Sequence, residues 1–180
     1  WEGIPVTLSA GDCLLLITVN AGKAVSEGLE LETTINIGDS LRLELGASYN
    51  ETELTKDIPE LGGLSGDRLP GSPRVNANIA LQYGFTWLGH ESFIRSDILY
   101  AGGFYREIGE TDATGGTEAG DYTKMNLRAG IKVDMISMDI FVDNLTNEDA
   151  LTWVNVFNFP GGSGYRLKPR TIGLRLAYQF

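Results

Sequence analysis

The chain has 180 residues, of which 42% are apolar and 21% charged, and a formal net charge of -10. That composition excludes an intrinsically disordered polypeptide, and the scarcity of Lys and Arg excludes nucleic acid, whose phosphates need clustered cations. With Cys13 as the one cysteine and His90 as the one histidine, neither a disulfide framework nor a zinc site can be assembled within the chain.

The opening stretch "WEGIPVTLSA" has no initiator Met, no basic start and no long apolar run. It therefore reads as the start of an incomplete polypeptide rather than as a signal peptide. A first strand is expected around Ile4 to Leu8. The longest purely apolar run, Leu14 to Ile17, is far too short for a membrane-spanning helix.

From Leu29 onward the dominant signal is alternation. Leu29, Leu31, Thr33, Ile35 and Ile37 oppose Glu30, Glu32, Thr34 and Asn36. After a short turn at Gly38 to Ser40, Leu41, Leu43, Leu45, Ala47 and Tyr49 oppose Arg42, Glu44, Gly46 and Ser48. Such a period of two is the mark of a strand with one apolar and one polar face. The same rule places Val75, Ile79, Leu81, Tyr83 and Phe85 on one side of the next segment. Ile94, Ile98, Tyr100 and Phe104 then share a face that Phe93 and Leu99 blur. Met125, Leu127, Ala129, Ile131 and Val133 follow, then Met138, Ile140 and Val142 against Asp139, Phe141 and Asp143, and finally Ile172, Leu174, Leu176, Tyr178 and Phe180. No segment has a sustained helical period.

The connections carry a second signal. Links at Gly38 to Ser40, Thr86 to His90 and Met135 to Ile136 are short, and they alternate with long polar links over residues 55–72, 107–121 and 146–168. In an up-and-down sheet this puts every tight turn at one end and every long loop at the other, as in an outer-membrane barrel. The expected fold is all-β: about eight long strands of an antiparallel transmembrane β-barrel segment. Leu41, Leu43, Leu45, Ile79, Leu81, Leu127, Ile131, Ile172, Leu174 and Leu176 are then expected to face lipid. Glu30, Glu32, Arg42, Glu44, Arg74, Arg95, Asp97, Lys124, Arg128, Lys132 and Arg175 are expected to face inward, into a hydrated interior or a plug.

No catalytic constellation emerges. His90 sits in the turn "TWLGHE" without a nucleophile motif, and "PGGSGY" from Pro160 to Tyr165 lacks the strand-to-helix context of a phosphate loop. The run "DNLTNED", Asp143 to Asp149, offers oxygen ligands but neither the central Gly nor the terminal Glu of a calcium loop, so it reads as a polar exit from a strand. No enzyme activity and no cofactor are expected.

Four stretches, taken in order, resemble the C-terminal part of the barrel of TonB-dependent outer-membrane receptors. They are "NAGKAVSEGLELE" (Asn20 to Glu32), "GDRLPGSPRVNANIALQY" (Gly66 to Tyr83), "YTKMNLRAGIKVD" with "MDIFVDNLTNEDA" (Tyr122 to Ala150), and "PRTIGLRLAYQF" (Pro169 to Phe180). The resemblance implies a barrel of roughly 22 strands around a plug, of which residues 1–180 would be a C-terminal fragment without the plug and the earlier strands. It implies uptake of a ferric siderophore, haem, cobalamin or glycan with energy from the TonB complex, which would act through the absent N-terminal part. The implied location is the bacterial outer membrane, with its lipid and the barrel assembly machinery as partners. Tyr178 and Phe180 resemble that machinery's C-terminal assembly signal. Tyr105, Trp153, Phe157, Phe159 and Tyr165 are the aromatic candidates for contacts from the outer loops to the small-molecule ligand. The alternative is a self-contained eight-stranded outer-membrane barrel with a structural or adhesive role.

Overall fold

In a computed structural model, residues 5–9, 16–20, 22–114, 116–154 and 164–180 are described. Cys13, Phe157 and Phe159 lie outside the described residues, as does most of "PGGSGY". Among the described residues there are eleven strands: β1 (Pro5–Ser9), β2 (Leu16–Asn20), β3 (Ala24–Ile37), β4 (Leu41–Leu54), β5 (Val75–Trp87), β6 (His90–Ala101), β7 (Tyr122–Val133), β8 (Ile136–Asp143), β9 (Leu151–Val154), β10 (Gly164–Arg166) and β11 (Thr171–Tyr178).

Seven of them form one antiparallel meander in the order β11-β8-β7-β6-β5-β4-β3. β1 pairs with β2 and β9 with β10 as separate hairpins. The eight strands expected from the sequence correspond to β1 and the seven of the meander; β2, β9 and β10, of three to five residues each, add to them.

The turns at 38–40, 88–89 and 134–135 close one end of the meander, and residues 55–74, 102–121 and 144–170 connect strands at the other. At the β5–β6 turn both Leu88 (φ 52) and Gly89 (φ 81) have positive φ, the backbone twist that a two-residue hairpin requires. This turn is tighter than the Thr86 to His90 expected from the sequence, so His90 opens β6 directly opposite Trp87.

Register carries the apolar face across every strand of the meander. Ile35, Leu43, Leu81 and Ser96 are opposed in turn, then Leu127, Val142 and Ile172. Leu41, Leu45, Ile79, Ile131, Leu174 and Leu176 fall on the same face. Much of this face is open: Ile79 is 47% and Ile172 68% exposed, while Leu41, Leu43, Leu45, Leu127 and Ile131, flanked by neighbouring strands, are half-buried. Among the described residues the only buried apolar cluster is a small one of Ala24, Leu54 and Ile58 with Leu61, Leu69 and Ile108. It sits where β3 and β4 continue past Tyr49 into the first long loop.

The opposite face is polar, with three large apolar exceptions that blur the alternation: Phe93, Leu99 and Phe141 point to it. Phe93 and Phe141 lie directly opposite glycines, Gly130 and Gly173, and a Cβ on either glycine would overlap the facing ring. An aromatic ring laid over a cross-strand glycine covers backbone that would otherwise lack a packing partner.

Candidate ligand-facing loops and inner wall

Register also assembles the inner wall. Glu44 and Asp97 are both opposite Ala80, one from each side. With only a methyl group between them, Arg95 reaches across β5. Its Nη2 lies 2.9 Å from Glu44 Oε2 and 2.8 Å from Asp97 Oδ1, while Arg42 Nε lies 2.7 Å from Glu44 Oε1. The four charges cancel within one network. Arg74, expected on this wall, instead donates from Nε to Glu51 at 3.0 Å.

At the long-loop end the loops hold one another. Gly71 N donates to Tyr105 O (2.8 Å), which ties loop 55–74 to loop 102–121. Gly120 N donates to Leu151 O (2.8 Å), which ties the second loop to β9. Trp153 is the meeting point: the Arg106 guanidinium lies over its ring at 5.0 Å, Phe104 packs at 5.9 Å on a tilt of 50°, and Gly71 approaches its edge. Arg106 Nη1 also donates to the Val154 carbonyl. Of the aromatic candidates, Trp153 is therefore engaged in joining loops. Tyr165, paired opposite it in β10, is 64% exposed. Tyr105 lines a cavity of about 370 Å³ between the first two loops, together with Arg68, Leu69, Pro70, Glu107 and Glu110.

The "DNLTNED" run folds back on itself. Asn144, 1% exposed and at φ 53, accepts at Oδ1 from Glu148 N and donates from Nδ2 to the carbonyls of Glu148 and Lys168, each at 2.9 Å. Its oxygen and amide groups are committed to the loop's own backbone. Asp149 Oδ1 receives Arg166 Nε at 2.6 Å, which clips β9 to β10 and holds the carboxyl below the ordinary aspartate range. Sequence reasoning missed Arg106 and Asn144. An isolated cation and one amide in a polar run carry no periodic signal.

The last residues finish at the short-turn end. Tyr178 is opposite Ile136, its ring stacks with Phe180 at 6.4 Å, and Gln179 N donates to Met135 O. Phe180 is fully exposed.

A family model described as "TonB dependent receptor-like, beta-barrel" matches residues 3–146. The chain belongs to that family. Its members are transport receptors rather than enzymes, and the place of this chain is the outer membrane. Solved structures agree on the fold. The ferric yersiniabactin uptake receptor FyuA of Yersinia pestis is 21% identical, with a TM-score of 0.78 over 92% of this chain and 25% of that one. The ferric preacinetobactin receptor BauA of Acinetobacter baumannii is 21% identical, with a TM-score of 0.70 over 98% of this chain and 26% of its own. The siderophore receptor PiuA of Acinetobacter baumannii is 16% identical, with a TM-score of 0.71 over 98% and 24%. The chain thus spans about a quarter of the length of the receptors it resembles. No curated protein matches it.

Proposed function

We propose that this TonB-receptor segment is the C-terminal part of the wall of a larger barrel, of roughly 22 strands. The whole protein takes up a scarce small-molecule ligand, of which a ferric siderophore is the best supported, with energy from the TonB complex. The observation that carries this reading is the membership of the chain in a TonB-dependent receptor family. The solved relatives whose names state a ligand are siderophore receptors.

In this reading the apolar face meets outer-membrane lipid through Leu41, Leu43, Leu45, Ile79, Leu81, Leu127, Ile131, Ile172, Leu174 and Leu176. The physical support is that a contiguous apolar face of this extent would be a liability in water. Aromatic rings mark both ends of it: Tyr83, Phe85, Trp87 and Tyr178 near the short turns, and Tyr49 and Tyr100 toward the loops, with hydroxyls that donate to Glu51 (2.7 Å) and Asp121 (3.1 Å). Apolar bodies with polar tips suit a membrane interface. Tyr178 and Phe180 serve as the signal read by the barrel assembly machinery. Tyr165 and Tyr105 contact the ligand from the outer loops, and Trp153 positions them.

The test is deletion of the whole gene in its host, followed by uptake measurements with a panel of ferric siderophores, haem and cobalamin. Loss of uptake of one compound, matched by loss of TonB, is expected. Unchanged uptake of every compound under iron limitation would refute the transport reading.

A further inference from the structure

The apolar face is not level. One row of directly opposed residues reads Phe85, Ser92, Ile131, Met138, Leu176, and the next reads Tyr83, Ile94, Ala129, Ile140, Leu174. Ser92 and Ala129 are small and sit diagonal to one another across β6 and β7, with larger side chains around them. The result is an apolar trough of about 320 Å³, bounded by Phe85 and Trp87 on one side and by Met138, Ile140 and Leu174 on the other.

We propose that this trough holds one acyl chain of a phospholipid as a resident, in place of freely exchanging lipid. The proposal rests on the reading of this face as lipid-facing. Ser92 carries the one hydroxyl within the trough; the residue is 9% exposed and its Oγ donates to the His90 carbonyl at 3.2 Å. The other polar group among the lining side chains is the indole N–H of Trp87, at the rim. Trp87 stands at the rim beside the short turns, which in outer-membrane barrels lie at the periplasmic side, so the chain enters from the inner leaflet.

The volume suits this occupant. A methylene takes roughly the space of a water, about 30 Å³, so the trough accommodates about ten of them. The hold is not hydrophobic in origin, because lipid tails are as apolar as Leu. It comes from dispersion: a chain lying in a trough touches walls as well as floor, where a level surface offers the floor alone.

The test uses the full-length receptor, extracted in mild detergent, stripped of loosely held lipid, and weighed by native mass spectrometry. One phospholipid retained per chain is expected, lost in Ser92→Leu and in Ala129→Leu. It is expected to stay in Ser96→Leu, which adds the same bulk to the same face outside the trough. The Ala129→Leu variant decides the matter if Ser92→Leu fails to fold by heat modifiability. Equal retention in all variants, or none in the wild type, overturns the proposal. A second protein chain retained by the wild type and released by the filled variants overturns it too, since the trough would then be a protein contact. A nitroxide at Leu31 separates this from the underlying reading. Relaxation by dissolved oxygen without retained lipid sinks only the resident chain, whereas relaxation by a water-soluble metal chelate sinks the lipid-facing reading itself.

Discussion

The side-chain amide of Asn144 donates to the carbonyl of Lys168 at 2.9 Å, which joins the two ends of the last long loop. Two further bonds to Glu148 and one from its own N–H to Asn126 Oδ1 (3.0 Å) complete the clamp. Asn144→Ala leaves several buried groups unpaired and is expected to cost about 2–4 kcal/mol. Asn144→Asp is expected to be at least as harmful, because a carboxylate faces two carbonyls it cannot donate to. Urea unfolding of the full-length protein refolded in detergent measures both. Wild-type stability in the Asp variant would rule out the clamp.

The pairing of Phe141 with Gly173 predicts an asymmetric double mutant. Gly173→Val drives a side chain into the ring and is expected to cost about 1–3 kcal/mol. Phe141→Ala removes a cross-strand contact worth about 1 kcal/mol or less. Because the overlap is with the ring itself, Phe141→Ala combined with Gly173→Val should be less damaging than the sum. Midpoints of the heat-modifiable shift on gels report the comparison, and simple additivity would mean that ring overlap is not the cause.

On the inner wall, Glu44→Gln takes away one carboxylate from Arg95 but leaves it Asp97. A small loss of stability is expected for this partly exposed pair. Ala80→Leu is expected to separate the same charges by bulk alone, so adding it to Glu44→Gln should cost less than it does in the wild type. A double-mutant cycle with no coupling between positions 44 and 80 would count against a bridge over β5.

The Asp149–Arg166 pair gives the β9–β10 hairpin a pH dependence. Hydrogen bonding and charge from Arg166 hold the folded carboxyl below its ordinary value. The contribution is therefore complete above the unfolded value of about 3.9 and is lost as pH falls through the lower, folded value. Fluorescence of Trp153, taken as a difference against Trp153→Phe, should report loosening of the hairpin only in that acid range. In Asp149→Asn this transition should vanish; its survival would assign it to another group.

Trp153 and Tyr165 are expected to behave differently although they are opposed in one hairpin. Tyr165→Ala should weaken ligand affinity while leaving the loops intact. Trp153→Ala removes the ring under Arg106 and should increase protease cleavage within residues 102–121 as well. Measurement of ligand binding and limited proteolysis on each variant distinguishes the two roles. Equal loop protection in both would deny Trp153 its joining role.

Much of this architecture follows from the sequence because a strand's side chains alternate strictly, so apolar Leu, Ile and Val at every second place fix which residues share a face. The alternation of tight turns with long polar links likewise fixed the two ends of the meander. Composition alone argued against nucleic acid and left no disulfide or zinc site to be built within the chain. Tertiary structure decided the rest, since it depends on which residues lie opposite one another. Phe93 and Phe141 break the polar alternation, and only register shows the glycines that accommodate them. Glu44 and Arg95 lie on different strands with Ala80 between, a meeting that no local pattern announces. The clamp at Asn144 and the junction at Trp153 are made by loop residues without periodicity. Their roles come from contacts over long sequence separations, which the chain acquires only when the turns have set the register and brought the long loops to one end.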